Sequence, residues 1–128
     1  ILVKHMENQF GVFINKRRNE KQISLRSFSS MIGISPEYLS KIENGLRSAP
    51  KGAVVKRISE ALVLNDDEQE LLFDLAALSK PTPTVAGDLV EYIVNNEKVH
   101  QFLRFSKKYN VSDDDFQLIM DMLREKYE

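Results

Sequence analysis

The fold is decided by a stretch of 22 residues that runs from Ser24 to Gly45 and reads SLRSFSSMIGISPEYLSKIENG. Ser24 is a favourable N-cap for a short helix, and Gly33 suits the left-handed conformation of a tight helix exit. Ser35 and Pro36 favour the start of a second helix, which Gly45 ends. The stretch therefore predicts two short helices joined by a glycine-containing turn, which is the helix-turn-helix arrangement.

Apolar residues at helical spacing continue on both sides of this stretch. They predict a helix from Phe10 to about residue 21, a fourth helix over Ala53–Leu64, and a fifth that Asn65 and Glu68 begin as a capping-box pair. Because no strand-like alternation competes, the sequence predicts an all-α fold with a five-helix domain and a C-terminal helical extension. The predicted apolar positions of the five helices are Phe10, Phe13, Ile14, Leu25, Phe28, Ile32, Leu39, Ile42, Val54, Val55, Ile58, Ala61, Leu62, Leu71, Leu72, Leu75 and Leu78.

Two prolines in three positions interrupt the helical pattern at residues 80–85, which predicts a short stiff linker. The expected helix-turn-helix domain covers residues 6–79, and a helical segment covers residues 86–128. In that segment Ser112 caps the last helix, whose first turn has three aspartates that complement the helix dipole. Phe116, Ile119, Met120, Leu123 and Tyr127 form the predicted apolar face of this helix.

The chain has 128 residues, no cysteine and no apolar run of the roughly 20 residues that a membrane helix needs. Disulfides, thiolate zinc sites and cysteine nucleophiles are excluded. Ile1–His5 precede Met6, and His5 and Met6 form a His-Met pair typical of a cloning site, so we interpret Ile1–His5 as a tag remnant and Met6 as the native start. No secretory signal pattern is present, and the expected location is the cytoplasm.

The net charge of −1 conceals a strong polarity. Residues 10–57 have ten basic and three acidic side chains, a net charge of +7. Residues 58–128 have seven basic and fifteen acidic side chains, a net charge of −8. A basic N-terminal half favours binding to nucleic-acid phosphates, because such binding releases counterions.

The residues of the stretch from Ser24 to Gly45 resemble the XRE or lambda-repressor-like (Cro/C1-type) DNA-binding domains. The resemblance rests mainly on the run from Gly33 to Gly45 and extends over Phe10 to Ser79. This chain has Leu25 where the family often has glutamine, and Ser29 where it often has alanine at a tight helix contact.

The resemblance implies that residues 36–44 form a recognition helix in the DNA major groove, with Pro36, Glu37 and Lys41 as base-reading residues. Glu37 can accept from cytosine N4 and Lys41 can donate to guanine O6 and N7. The alternatives are that Glu37 only stabilises the helix dipole and that Lys41 is a solvated charge. The predicted phosphate contacts, which fix register without reading sequence, are Arg26, Tyr38, Ser40, Asn44, Arg47 and Lys51.

Arg18 and Glu43 correspond to an internal ion pair of the family between the first helix and the recognition helix. We therefore interpret both as structural residues rather than as base readers.

No residue pattern supports catalysis, a metal or a cofactor. His100 stands alone, His5 falls in the predicted tag, and Asp113–Asp115 lack the spacing and glycine of a calcium loop. Glu91 and Glu97 have no convergent partner. The sequence therefore predicts that the chain is not an enzyme.

A single short recognition helix reads only a few base pairs, so specific binding usually requires two copies on an inverted repeat. We predict a transcriptional repressor that binds as a homodimer, with residues 86–128 as the dimerisation segment. Two alternatives stay open. The apolar side chains of that segment can pack back on the fourth and fifth helices, or the chain can be an antitoxin whose acidic segment binds a toxin protein.

Overall fold

The computed structural model describes residues 9–128, and within that range it has eight α-helices and no strand. The predicted all-α class is therefore confirmed. Ile1–His5 and Met6 lie outside the described residues. The helices are α1 Gln9–Glu20, α2 Leu25–Ile32, α3 Pro36–Glu43, α4 Gly52–Ala61, α5 Asp66–Leu78, α6 Gly87–Val94, α7 Glu97–Tyr109 and α8 Asp113–Tyr127.

The chain divides into two compact units, the first ending at Gly87 and the second comprising Asp88–Glu128. The first unit contains α1 to α5 and also the segment predicted as a linker. Within it, the Thr84 amide donates to the Ala77 carbonyl at 3.2 Å, so this segment folds back along the end of α5. The proline-rich chain is thus attached to the first unit rather than extended from it.

Four helices of the described chain begin with a side-chain cap. Ser24, Ser35 and Ser112 each accept a hydrogen bond from the amide three residues ahead. Asn65 does the same from Glu68, whose side chain bonds the Asn65 amide in return and completes a capping box. The sequence predicted each of these starts, because each cap depends on residues only three apart.

The residue types at the helix ends vary more than those at the helix starts, although α1 to α4 end with the same backbone geometry. A left-handed residue follows each helix, and its amide and the next one bond back to carbonyls of the last turn. Gly33 and Gly45 adopt this conformation without strain, whereas Gln22 and Val63 adopt it at φ 57° and 52°. The prediction that the fourth helix reaches Leu64 was wrong, because Val63 ends it despite a side chain that disfavours this conformation.

The core of the first unit is formed by apolar side chains from all five helices. The apolar stripe predicted for α5 included Leu71, but this residue is 43% exposed, and the buried stripe runs through Leu72, Leu75 and Ala76 instead. The remaining core positions are Phe10, Ile14, Phe28, Ile32, Leu39, Ile42, Ala49, Val54, Val55, Ile58 and Leu62, with Phe13, Leu25 and Ala61 packed against them at partial burial.

The second unit has no fully buried hydrophobic side chain between Asp88 and Glu128. Phe102 of α7 meets Phe116 of α8 edge to face, with ring centroids 6.1 Å apart. The apolar face predicted for α8 is only partly buried, because Phe116 and Ile119 are half-buried and the three residues further along are exposed. These exposed residues are Met120, Leu123 and Tyr127.

Candidate DNA-binding surface

The turn between α2 and α3 fixes where α3 begins. Gly33 takes the left-handed conformation at φ 76°, which lets the Ile34 amide bond back to the Ser29 carbonyl at 3.1 Å. Ser35 then caps α3 by accepting from the Tyr38 amide at 3.1 Å, and Pro36 occupies the first turn. The local sequence thus sets the direction in which α3 leaves the turn.

Helix α3 has one buried face and one exposed face. Leu39 and Ile42 are in the core, whereas Glu37, Lys41 and Asn44 are exposed. The three exposed residues are separated by four and three positions, so they lie on one side of the helix. Glu37 and Lys41 form no ion pair with each other or with other described residues, and both side chains are available to a ligand.

The other predicted DNA contacts border this face. Pro36, Tyr38 and Ser40 are half-buried, and the Asn44 amide donates to the Ser40 hydroxyl at 3.3 Å. That contact leaves the amide oxygen of Asn44 free to accept. Arg26 is exposed on α2. The exposed face of α3 therefore has donors, acceptors and one charge of each sign.

The loop from α3 to α4 contributes two exposed cations, Arg47 and Lys51. Lys51 is the N-cap residue of α4, but no side chain accepts a hydrogen bond from the first turn of that helix. Gly52 follows it in open space, with no atom within 4 Å of the position a Cβ would occupy. An uncapped helix start beside a lysine is suited to an anionic oxygen.

Arg18 and Glu43 form an ion pair between α1 and α3, in which Glu43 is buried and Arg18 is partly buried. Arg18 Nε donates to Glu43 Oε2 at 2.8 Å, and Arg18 Nη2 donates to Glu43 Oε1 at 3.0 Å. Asn15 Nδ2 also donates to Oε1 at 2.8 Å, and Arg18 Nη1 donates to the Ile23 carbonyl at 2.8 Å. The hydrogen bond to Glu43 raises the pKa of Arg18 above its ordinary value, against the opposing effect of burial.

Only part of the positive charge in residues 10–57 is available to a ligand. Arg17 pairs with Glu68 of α5, and Arg57 Nε donates to the Ile32 carbonyl at 3.0 Å. Together with Arg18, these cations stabilise the domain. The contacts of Arg17 and Arg57 were not predicted from the sequence, because both join distant helices. No ion pair within residues 9–128 engages the other seven, which are Lys16, Lys21, Arg26, Lys41, Arg47, Lys51 and Lys56.

Other kinds of site find no support in the described chain. Across residues 9–128, no three histidine, aspartate or glutamate side chains are grouped so that they could hold a metal ion. His100 is exposed on α7, and Asp113–Asp115 form the first turn of α8. No helix in the same range is long and apolar enough to cross a membrane.

Comparison with known proteins places residues 14–67 in the family model described as helix-turn-helix. The HTH-type transcriptional repressor RghR of Bacillus subtilis is 36% identical over 53 residues, which are 41% of this chain and 39% of that protein. An HTH-type transcriptional regulator of Mycobacterium tuberculosis, Rv0474, is 34% identical over 74 residues, which are 58% of this chain and 50% of that protein. The matches thus span half or less of each relative.

A solved complex of the SinR and SinI proteins matches 92% of this chain and 97% of the other chain, with a TM-score of 0.47 and 20% identity. The curated relatives are named as a transcriptional repressor and a transcriptional regulator, which agrees with the prediction that this chain is not an enzyme. The helix-turn-helix family model thus matches the part of the chain on which the resemblance to XRE or lambda-repressor-like domains rests.

Proposed function

We propose that this chain is a sequence-specific regulator of transcription, acting as a repressor, which inserts α3 into the major groove of double-stranded DNA. The observation that supports this most directly is the exposed face of α3, which presents Glu37, Lys41 and Asn44. Neither Glu37 nor Lys41 forms an ion pair with a described residue, and the loop after the helix adds cations that are also without an ion pair. A helix of this width fits the major groove, where base edges differ in their donors and acceptors.

Within this proposal, Glu37 and Lys41 read bases from the middle of the exposed face, and Pro36 makes apolar contact at the start of the helix. Glu37 accepts from cytosine N4, and Lys41 donates to guanine O6 and N7. Backbone contacts come from the border of the face and from the loop that follows it. The residues assigned to phosphates are Arg26, Tyr38, Ser40, Asn44, Arg47 and Lys51.

Charge polarity supports the same orientation. The seven free cations lie in the first unit, and the acidic excess begins after residue 57. A duplex attracts the basic side and repels the acidic remainder, which favours approach through α3 and the loop after it. Association should therefore depend strongly on salt.

Substitution of Lys51 tests the phosphate assignment. Lys51→Ala should weaken DNA binding for every sequence to a similar degree, and should reduce the slope of log affinity against log salt by about 1. The measurement is footprinting at several salt concentrations on the DNA upstream of the gene that encodes the chain. We expect the wild-type chain to protect an inverted repeat there.

Lys98→Ala is the matched control, because it removes the same charge from an exposed position on α7. Its salt slope should equal that of the wild type. If Lys51→Ala keeps the wild-type slope as well, the assignment of Lys51 to a phosphate is wrong.

We also propose that the second unit joins two copies into a homodimer. Its helices leave many large apolar side chains exposed, among them Leu103 and Phe105 on α7 and Met122 and Leu123 on α8. A helical unit of about 40 residues rarely forms a sufficient core alone. A second copy offers the same unburied surfaces, and two recognition helices then match an inverted repeat.

Removal of the second unit tests the dimer. A chain truncated after Gly87 retains the hydrogen bonds of residues 79–84 and should stay folded as a monomer, whereas the full chain should sediment as a dimer. Affinity for the inverted repeat should fall by about 100-fold or more, because two linked half-site contacts are lost. Equal affinity of the truncated and full chains would exclude this role for the second unit.

A further inference from the structure

The loop between α3 and α4 is held at one residue by side chains from the end of α5. Ala49 lies between Arg47 and Lys51 and is buried. Its amide donates to Ser79 Oγ at 2.9 Å, and its carbonyl accepts from Lys80 Nζ at 2.5 Å. Two consecutive residues thus bind both backbone polar groups of one loop residue about 30 positions earlier.

The Ser79 hydroxyl is oriented for this contact. Ser79 is the C-cap of α5, and its hydroxyl donates to the Ala76 carbonyl at 2.7 Å. With its hydrogen used in that bond, the oxygen presents a lone pair to the Ala49 amide. An alanine at position 79 would leave a buried amide without this partner.

Close packing does not hold the neighbouring part of the loop. A cleft of about 500 Å³ lies between residues 45–48 of the loop and Ser79 and Pro81. Phe10, Gly11 and Ile42 form the rest of its wall. The amides of Leu46 and Arg47 bond back to the Lys41 carbonyl at the start of the loop, and the two hydrogen bonds at Ala49 hold its middle.

We propose that Ser79 and Lys80 are positioning residues for DNA binding, which hold the loop so that Arg47 and Lys51 meet phosphates without further ordering. This inference rests on the proposed function. A preorganised loop loses less conformational freedom on binding, so its contacts contribute more of their interaction energy to affinity. Ser79 and Lys80 themselves touch the loop backbone and not the nucleic acid.

The test measures binding of the full-length chain to a random-sequence DNA duplex at fixed salt, by fluorescence anisotropy. Ser79→Ala should bind roughly 5- to 10-fold more weakly, as expected when one buried hydrogen bond is lost. Ser79→Thr keeps the hydroxyl and should bind as the wild type does. Ser29→Ala is the matched control, since that buried hydroxyl bonds only the Arg26 carbonyl of its own helix.

A double-mutant cycle separates positioning from a general loss of stability. In a background with both Arg47→Ala and Lys51→Ala, the effect of Ser79→Ala should shrink to about 2-fold or less, because residues that act through one another are not additive. Hydrogen exchange of the Ala49 amide provides a readout independent of DNA, and Ser79→Ala should remove its protection.

Three results would overturn the inference: unchanged affinity of Ser79→Ala, an equal loss in both backgrounds, or an Ala49 amide that stays protected without the hydroxyl. Wild-type binding is the reference for the proposed function itself. If the wild-type chain does not bind the duplex, the proposed function fails and the inference fails with it. If the wild type binds but the cycle is additive, only the inference fails.

Discussion

Glu43→Ala is expected to lower the free energy of unfolding by about 3–5 kcal/mol, because it leaves the Arg18 guanidinium buried without its counter-charge. The side chains of Arg18 and Glu43 are only 11% and 4% exposed, so water solvates the remaining charge less well than it would at the surface. The same substitution also removes the acceptor of Asn15 Nδ2. Urea denaturation of the purified variant measures the loss.

Glu37→Ala is the matched control for this prediction. It removes the same residue type from the same helix, but at an exposed position with no ion pair among the described residues. Its stability should stay within about 0.5 kcal/mol of the wild type. Because Glu37 is one of the proposed base-reading residues, the Glu37→Ala variant should instead have a changed DNA sequence preference.

The double variant Arg18→Ala/Glu43→Ala tests whether the two side chains act as a pair. Its loss of stability should be smaller than the sum of the losses of the two single variants. Each single variant leaves one charge without its partner, whereas the double variant removes both charges. Denaturation midpoints of Glu43→Ala equal to those of the wild type would contradict the structural role of the pair.

Local sequence predicted the features that depend on residues close together in the chain. The caps at Ser24, Ser35 and Asn65 and the glycine turn at Gly33 each require only a few neighbouring residues, and the structure has all four. The end of α4 was missed because Val63 occupies a position where glycine is usual, and no local residue type signals that geometry.

Contacts between residues far apart in the chain were harder to predict from the sequence. The family resemblance suggested the pair of Arg18 and Glu43, but no pattern indicated that Arg57 binds the end of α2 or that Ser79 binds Ala49. Each of these contacts joins residues 25 or more positions apart. The exposure of Leu71 has a similar cause, since the direction of the apolar stripe on α5 depends on where α1 and α4 pack.

Gly11→Ala is expected to destabilise the chain by about 2–3 kcal/mol, as overpacking in a core typically does. A Cβ at this position would lie 2.2 Å from the Ile42 carbonyl oxygen and 3.0 Å from that of Glu43. Both atoms belong to the backbone of α3, so a side-chain rotation cannot relieve the clash and one of the two helices must move.

The control is Gly52→Ala, at the first residue of α4, where a Cβ meets no atom within 4 Å. Alanine is the better helix former, so this variant should be unchanged or more stable by up to about 1 kcal/mol. Opposite signs for the same substitution in the same unit would show that close approach, and not the loss of glycine flexibility, determines the effect at position 11.

The clash at Gly11 also has a consequence for DNA binding, because the carbonyls it meets belong to the last turn of α3. Moving α1 away from that turn disturbs the Arg18–Glu43 pair, which joins the same two helices. Folded Gly11→Ala should therefore bind DNA more weakly than the wild type even after correction for its unfolded fraction. Stability and affinity equal to those of the wild type would mean that the helices separate without cost, contrary to this prediction.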